Sequence, residues 1–134
     1  QIQRVLVMVG VDGFIKKLPE GLEHLVQEGG AGLSGGQKQA ILLARLLIRD
    51  PAVILLDEPT SSMDEATERH FIEQFSKWSA GRTVVIATHR MRVLELINRL
   101  LVVENGQIAL DDTKERGLQT LFGMSKVAMP KTEL

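Results

Sequence analysis

The chain has 134 residues, of which 44% are hydrophobic, and it carries a formal net charge of −1. This length and apolar content suit one folded domain and exclude a disordered chain. The charge balance, with a pI of about 6.3, argues against a nucleic-acid coat or a polybasic membrane-binding patch. The sequence contains no cysteine, which excludes a disulfide framework and a thiolate metal site.

The sequence shows no pattern of a membrane span or a secretion signal. No apolar run approaches the roughly 20 residues that a spanning helix needs, and the amino terminus lacks a basic region followed by an apolar one. The sequence begins with Gln1 rather than Met. We therefore expect translation to start elsewhere and the chain to be a piece of a longer protein.

Apolar periodicity and turn residues predict helices that alternate with aliphatic strands. The predicted helices cover residues 1–9, 12–18, 34–49, 65–79 and 90–97, and a last one starts at Asp112 or Thr113 and is weakened by Gly117. The predicted strands cover residues 52–56, 83–88, 100–104 and 107–110, with Asn105–Gly106 as a hairpin turn. For residues 1–9 a strand is the alternative, because β-branched valine has a lower helix propensity and a higher strand propensity. The alternation predicts an α/β layered fold.

Capping residues and apolar content predict where the helices end and how deeply they are buried. Ser34 followed by Gln37 is a capping-box pattern, and this helix ends at Asp50 because Pro51 cannot continue it. The other predicted caps are Asp12 and Asp64, the latter with a neighbouring serine as alternative. Residues 40–48 are almost wholly apolar, which predicts burial on most sides. The strands at 52–56 and 83–88 are expected to be covered on both faces.

Two adjacent carboxylates, Asp57 and Glu58, follow the first predicted strand. Ligands bind at the carboxyl edge of open α/β sheets, and successive strand side chains point opposite ways. One carboxylate can then hold Mg²⁺, usually through water, while the other orients or deprotonates an attacking water. The alternative is that both are turn residues before Pro59.

A glycine pair opens the helix that Ser34 caps. Gly35 and Gly36 let the backbone approach a ligand closely, and the free N–H groups at a helix amino terminus favour an anion. Ser34 adds a hydroxyl donor. Taken alone, the pattern favours a plain capping box with two permissive glycines.

His89 follows the second predicted strand and is expected near the same sheet edge as the carboxylates. A histidine there can hydrogen-bond a terminal phosphate oxygen and the neighbouring backbone. The alternative is an ordinary loop residue. His24 and His70 have no such setting, and no role is predicted for them.

The order and spacing of these features resemble the nucleotide-binding domain of ATP-binding-cassette (ABC) transporters. Leu33–Gln37 match the LSGGQ signature and Val53–Glu58 match the Walker B motif. Residues 61–64, Ser-Ser-Met-Asp, resemble the D-loop, and His89 resembles the switch histidine. The resemblance implies a P-loop NTPase-like parallel sheet with flanking helices, together with part of the helical signature subdomain.

The same resemblance divides the chain. Residues 1–123 would form a partial ABC ATPase domain, with the helical and signature region at 1–49 and the Walker B to carboxyl-terminal part at 50–123. Residues 124–134 are expected to be a flexible tail.

The resemblance also implies roles for the site residues. In this family two domains sandwich two ATP molecules, and each signature contacts the γ-phosphate held by the other subunit. The signature residues here would be Ser34, Gly35, Gly36 and Gln37. By the same carry-over, Asp57 would organise Mg²⁺, Glu58 would be the general base, His89 would bind the γ-phosphate and Asp64 would couple the two sites. A plain helix cap is an equal reading of Asp64.

The stretch before the signature is similar to that of exporters. Glu28 and Gly30 match their common Val-Gly-Glu-x-Gly pattern, whereas Gln27 departs from it. Gly29 and the Gly-Ala-Gly at 30–32 look most like the corresponding residues of type I protein secretion and peptide exporter ATPases. This implies a second nucleotide-binding domain (a homodimer) and a transmembrane domain as partners, no nucleic acid, and a place at the cytoplasmic face of the inner membrane.

One part of the family pattern is missing from these residues. The phosphate loop reads Gly-x-x-x-x-Gly-Lys-Ser/Thr after a strand, and none of the glycines here begins that pattern. In the family this loop, with its strand, would lie before residue 1. We therefore expect the chain alone to bind ATP negligibly and not to hydrolyse it, and we expect an unpaired sheet edge beside residues 83–88.

Two other functions stay open at this point. The chain could be a non-catalytic module that lends its signature edge to a complete partner. It could also belong to a non-transport ATPase of the same superfamily, although such proteins tend to carry basic clusters or large insertions, and this sequence has neither.

Overall fold

The computed structural model describes residues 1–123, so the tail predicted for residues 124–134 lies outside the described residues. The chain divides into two compact units, Gln1–Leu96 and Ile97–Leu134. Within the described part, no helix is long and apolar enough to cross a membrane.

The first unit combines helices with a short parallel sheet. Its α-helices are α1 (Ile2–Met8), α2 (Asp12–Ile15), α3 (Gly35–Arg49) and α4 (Glu65–Trp78). Its strands are β1 (Val53–Asp57) and β2 (Thr83–Ala87), and single 3₁₀ segments lie at Gly21–Glu23, Glu28–Gly30 and Met91–Leu96. The strands pair in parallel, from Val53 opposite Thr83 to Asp57 opposite Ala87. The predicted α/β fold with a parallel sheet is confirmed.

The core of this unit lies where α1, α3 and α4 meet. Fully buried side chains from α3, from α4, from the residue after α1 and from the 3₁₀ segment after β2 fill it, namely Val9, Leu47, Phe71, Phe75 and Val93. The rings of Phe71 and Phe75 stack with centroids 5.2 Å apart. Burial of this apolar area is the main force that holds the helices together.

Helix α3 begins and ends where the sequence predicts. The Ser34 hydroxyl accepts from the Gln37 backbone N–H, and the Gln37 side chain accepts from the Ser34 N–H, which completes the capping box. At the other end Asp50 adopts the left-handed conformation, with φ of 50°. Arg82 pairs with Asp50 and lies over the Trp78 ring, 4.3 Å from its centroid, so the ends of α3 and α4 are joined.

The predicted depth of burial was wrong for α3 and for both strands. Leu42 is 63% exposed and Leu55 is 73% exposed. Ile54, by contrast, is fully buried. Strand side chains alternate between faces, and the described residues of the first unit cover only one face of the sheet. Helix α3 is likewise buried along a single stripe.

Several predicted boundaries also change. Val11, not Asp12, is the cap of α2, and this helix already ends at Ile15. The helix predicted at 90–97 is a 3₁₀ segment over Met91–Leu96. Strand β2 ends at Ala87, so Thr88 lies just beyond the sheet.

In the second unit, the described residues 97–123 form a hairpin and one helix. Strands β3 (Arg99–Glu104) and β4 (Gln107–Thr113) pair antiparallel, and α5 covers Lys114–Phe122. The turn predicted at Asn105–Gly106 is confirmed, since both residues have positive φ (51° and 76°). Strand β4 extends beyond the predicted 107–110.

Gly117 lies where α5 packs on this hairpin. A Cβ atom there would be 2.9 Å from Leu100 Cδ2 and 3.3 Å from Leu110 Cδ2. The glycine predicted to weaken the helix therefore also permits its close contact with the strands. Thr113, one of the two predicted starts, is the cap residue of α5.

Candidate functional site

The carboxyl ends of β1 and β2 form one sheet edge that carries the predicted carboxylates. Asp57 is the last residue of β1 and lies opposite Ala87 in the register. The next residue, Glu58, donates its backbone N–H to the Ala87 carbonyl over 2.9 Å. Glu58 has a positive φ of 42°, which is uncommon for a residue with a side chain and marks local backbone strain.

Glu58 and His89 are in direct contact. His89 Nδ1 lies 2.6 Å from Glu58 Oε1, and the His89 backbone N–H donates to the same oxygen over 3.0 Å. The Thr88 hydroxyl donates to the other oxygen, Oε2, over 3.1 Å. Partial burial raises the pKa of Glu58, but the hydrogen bonds from His89 and Thr88 outweigh this effect and hold the pKa below its ordinary value. The group is therefore a carboxylate at neutral pH.

A buried polar cluster lies behind this pair. Glu68, on α4, is only 5% exposed and accepts from the Thr60 hydroxyl over 2.6 Å. Arg90 donates to Glu68 over 2.9 Å and to the Ser61 carbonyl over 3.0 Å. Burial raises the pKa of Glu68, but the hydrogen bonds from Thr60 and Arg90 lower it by a larger amount. The pKa of Glu68 is therefore below its ordinary value. The cluster anchors both the loop after β1 and the residue that follows His89.

Gln39, on α3, holds the same loop from the opposite side. Its amide nitrogen donates to the Glu58 carbonyl over 2.8 Å and to the Ser61 hydroxyl over 3.1 Å. Its amide oxygen accepts from the Ser62 N–H over 3.0 Å. The loop between β1 and α4 is thereby fixed to the helix that the signature motif opens.

The signature residues line an open cleft of about 490 Å³ at the amino terminus of α3. Apolar side chains, among them Phe14 and Met63, line part of it. The rest of its lining comes from the signature, from the loop before α4 and from the first turn of α4, namely Ser34, Gly35, Gly36, Gln37, Ser62, Asp64 and Thr67. Helix N–H groups of the first turn face such a site and favour an anion. The cleft is large enough to admit a phosphate group.

Asp64 caps α4 and also lines this cleft. Its carboxylate accepts from the Thr67 backbone N–H over 2.8 Å, and the bonds from Thr67 lower its pKa. The helix-cap reading of Asp64 is therefore confirmed. Asp64 lies beside the signature residues. Its additional role, the coupling of two ATP sites, stays a prediction.

Asp57 is the candidate residue for Mg²⁺. Among residues 1–123 no group of three or more acidic, histidine or cysteine side chains forms a metal cage. Magnesium in phosphate-handling sites is held by one or two carboxylates together with substrate phosphates and water. An exposed carboxylate at the sheet edge fits that mode, with the remaining ligands supplied by the nucleotide.

Sequence reasoning missed the residues that support the site. Gln39, Glu68 and Arg90 had no predicted role, and their partners lie 19, 8 and 22 residues away along the chain. The one local signal was the position of Arg90 directly after His89. His70, which also had no predicted role, contacts the Val7 carbonyl at 2.9 Å and links α4 to α1.

Taken together, the sheet edge and the cleft define the class of the domain. A carboxylate pair lies at the carboxyl end of a parallel strand, a histidine follows the neighbouring strand, and a glycine-rich helix start forms an anion site. These are elements of an α/β domain of the P-loop NTPase type.

Comparisons with known proteins give the family. Residues 5–61 match the family model described as ABC transporter. A bacterial Atm1-family ABC exporter, solved with ATP bound, superimposes with a TM-score of 0.80 over 89% of this chain and 21% of its own, at 28% identity. The chain belongs to the ABC transporter family and carries part of its nucleotide-binding domain.

The sequence relatives include multidrug resistance and toxin-translocation proteins. Multidrug resistance protein 1 of Entamoeba histolytica is 42% identical over 87% of this chain and 9% of its own length. The alpha-hemolysin translocation ATP-binding protein HlyB of Escherichia coli O157:H7 is 40% identical over 79% of this chain and 15% of its own. The leukotoxin translocation ATP-binding protein LktB of Mannheimia haemolytica is 37% identical over 87% and 16%, respectively. The chain thus spans less than a fifth of these relatives.

Proposed function

We propose that this chain supplies the signature and Walker B half of a nucleotide-binding domain that binds and hydrolyses ATP to power export across a membrane. The observation that carries the proposal is the Glu58 carboxylate, held at the sheet edge by His89 and Thr88. Its ionised state and its position after a parallel strand suit a group that acts on water. The toxin-translocation relatives support an export function of the type I secretion kind.

In this proposal Glu58 orients the attacking water and accepts its proton. A general base works best when its pKa is near the operating pH, and the pKa of Glu58 is lowered. Orientation of the water is therefore the larger part of its role. Asp57 would hold Mg²⁺ through water, and Mg²⁺ supplies charge neutralisation at the phosphates when bound.

His89 would bind the γ-phosphate oxygen. With Nδ1 donating to Glu58, Nε2 can donate to a phosphate only when the ring carries both protons. The side chain is 82% exposed, so Nε2 is accessible to a ligand. A neutral imidazole would have to break its hydrogen bond to Glu58 before it could donate to a phosphate.

The signature cleft would receive the γ-phosphate of an ATP bound by a second nucleotide-binding domain. The donors in this arrangement are the Ser34 hydroxyl, the backbone N–H groups of Gly35 and Gly36, and the side-chain amide of Gln37, whose backbone N–H already donates to Ser34. Asp64 would link the two sites. The partners are then a second copy of the domain and the transmembrane domain of the exporter. The place of action is the cytoplasmic face of the inner membrane.

ATP hydrolysis by the full gene product that contains these residues tests the proposal. Glu58→Gln keeps the shape of the side chain and removes its charge, and we expect the rate to fall at least about 100-fold. Glu23→Gln, a matched change at an exposed position, should leave the rate unaltered. Hydrolysis at the unaltered rate in Glu58→Gln would overturn the assigned role.

We further infer that the 134 residues alone do not turn over ATP, because they contain no phosphate loop. The assay uses the purified 134-residue chain with Mg²⁺ and ATP. Glu58-dependent hydrolysis would contradict the inference. The DNA upstream of the Gln1 codon gives a separate check, since an in-frame Gly-x-x-x-x-Gly-Lys-Ser/Thr after a strand is expected there.

A further inference from the structure

The side chain of Gln39 is the direct link between the signature helix and the loop that begins with Glu58. It makes hydrogen bonds to three residues of that loop, at Glu58, Ser61 and Ser62. Both ends of its amide are used, so its orientation is fixed. Gln39 lies on α3 shortly after the capping box, yet it is absent from the residues that line the cleft.

The backbone of α3 also lies directly against this loop. A Cβ atom on Gly36 would be only 2.8 Å from the Ser62 carbonyl oxygen, whereas one on Gly35 would meet no atom closer than 3.6 Å. This close approach is what brings the Gln39 amide within hydrogen-bond distance. The second signature glycine therefore has an intrachain packing role in addition to any contact with a ligand.

Glu58 is restrained at its backbone as well as at its side chain, and its N–H donates to the Ala87 carbonyl. Its carboxylate is held by Thr88 and His89, and its carbonyl is held by Gln39. The residue sits at a positive φ of 42°, a conformation that persists only where the surroundings impose it. The Glu58 carbonyl also accepts from the Ser61 N–H over 3.1 Å. Without the shorter bond from Gln39, this local turn bond alone would hold the peptide after Glu58, and the peptide would be less restrained.

We propose that Gln39 is a positioning residue, which keeps the Glu58 carboxylate in place for hydrolysis by fixing the Glu58 backbone to the signature helix. The proposal rests on the function proposed above for Glu58. Gln39 itself contacts neither substrate nor Mg²⁺ in this account. Its loss should therefore affect the chemical step and not the binding of ATP.

The test uses ATP hydrolysis by the full gene product with Gln39 replaced. Gln39→Met keeps the length of the side chain and removes every hydrogen bond, and Gln39→Glu keeps the acceptor for Ser62 but loses both donors. We expect kcat to fall about 10- to 100-fold, as for a small misplacement of a reacting group, with KM for ATP within about twofold. Gln119→Glu, the same change at an exposed position of α5, should have no effect.

A double variant separates positioning from general structural damage. If Gln39 acts through Glu58, adding Gln39→Met to Glu58→Gln should cause no further loss, because residues that act as a unit are not additive. An additional 10-fold loss in that background, or a rise in KM with kcat unchanged, would overturn the proposal. Circular dichroism of each variant checks that it is folded. If Gln39→Met does not fold, the same comparison is made with Gln39→Glu.

The two proposals fail in different ways. Full activity in Gln39→Met and Gln39→Glu, with Glu58→Gln inactive, would overturn the positioning role and leave the function intact. Full activity in Glu58→Gln would overturn the function itself.

Discussion

His89 Nδ1 lies 2.6 Å from Glu58 Oε1, although 31 residues separate the two in the chain. The contact arises because β1 and β2 are parallel neighbours whose carboxyl ends coincide, with Asp57 opposite Ala87. Each residue follows its strand closely, so the sheet register alone brings them together. The contact joins Glu58, to which we assign water activation, to His89, to which we assign the phosphate contact.

The acid side of the pH profile should report the Glu58 carboxylate. The hydrogen bond from Thr88 helps to lower its pKa, so Thr88→Val should raise that pKa and move the acid limb of kcat/KM to higher pH. Thr88 is not among the residues to which we assign a phosphate contact. Valine also removes the bond that the Thr88 hydroxyl accepts from the Arg90 N–H. The measurement is the pH dependence of ATP hydrolysis by the full gene product. An acid limb that stays in place would contradict the hydrogen-bond origin of the shift.

The buried pair of Glu68 and Arg90 should be costly to break. Arg90→Met leaves a 5%-exposed carboxylate without its cation, and we expect a loss of about 3 kcal/mol of unfolding free energy, at the low end for a buried pair because Arg90 is 30% exposed. Lys77→Met breaks the exposed pair with Glu73 and should cost much less than Arg90→Met, because solvent screens an exposed ion pair. Denaturant unfolding of the complete nucleotide-binding domain measures both. Equal losses would mean that the cluster does not behave as a buried one.

Glu68 should also make stability depend on acid pH. Its pKa is lower in the folded state than the ordinary value of 4.5, so the folded state favours the carboxylate. This stabilisation is fully present above about pH 5, and it is lost as the pH falls below 4.5 and through the folded-state pKa. Glu68→Gln should therefore show a shallower decline of the thermal midpoint in this range. An identical decline in both proteins would assign the acid sensitivity to other groups.

The two signature glycines should respond differently to alanine. Gly36→Ala places a methyl group 2.8 Å from the Ser62 carbonyl oxygen, whereas Gly35→Ala meets no atom closer than 3.6 Å. We expect the first change to lower the thermal midpoint and the second to leave it unchanged or slightly raised, since alanine is the better helix former. Measurements without nucleotide keep ligand contacts out of the comparison. Equal midpoints would show that α3 can move away from the loop at little cost.

The sequence predicts most of the site but little of what supports it. Asp57, Glu58 and His89 could be placed because each follows an aliphatic strand, and Ser34 because a capping box depends on residues three apart. Gln39 and Glu68 could not, since their partners depend on the path of the loop between β1 and α4. The prediction of burial failed at Leu42 and Leu55 for a related reason. Apolar content predicts that a side chain can be buried, but not whether the described residues cover it.

The most direct test of the central claim follows the fate of bound ATP in the Glu58→Gln gene product. If the signature and Walker B elements bind ATP while Glu58 serves only hydrolysis, this variant should retain ATP that stays unhydrolysed after quenching, whereas the unaltered protein should contain ADP. The assay mixes each protein with labelled ATP and Mg²⁺ and separates the bound nucleotides. Conversion to ADP at the unaltered rate in Glu58→Gln would contradict the account.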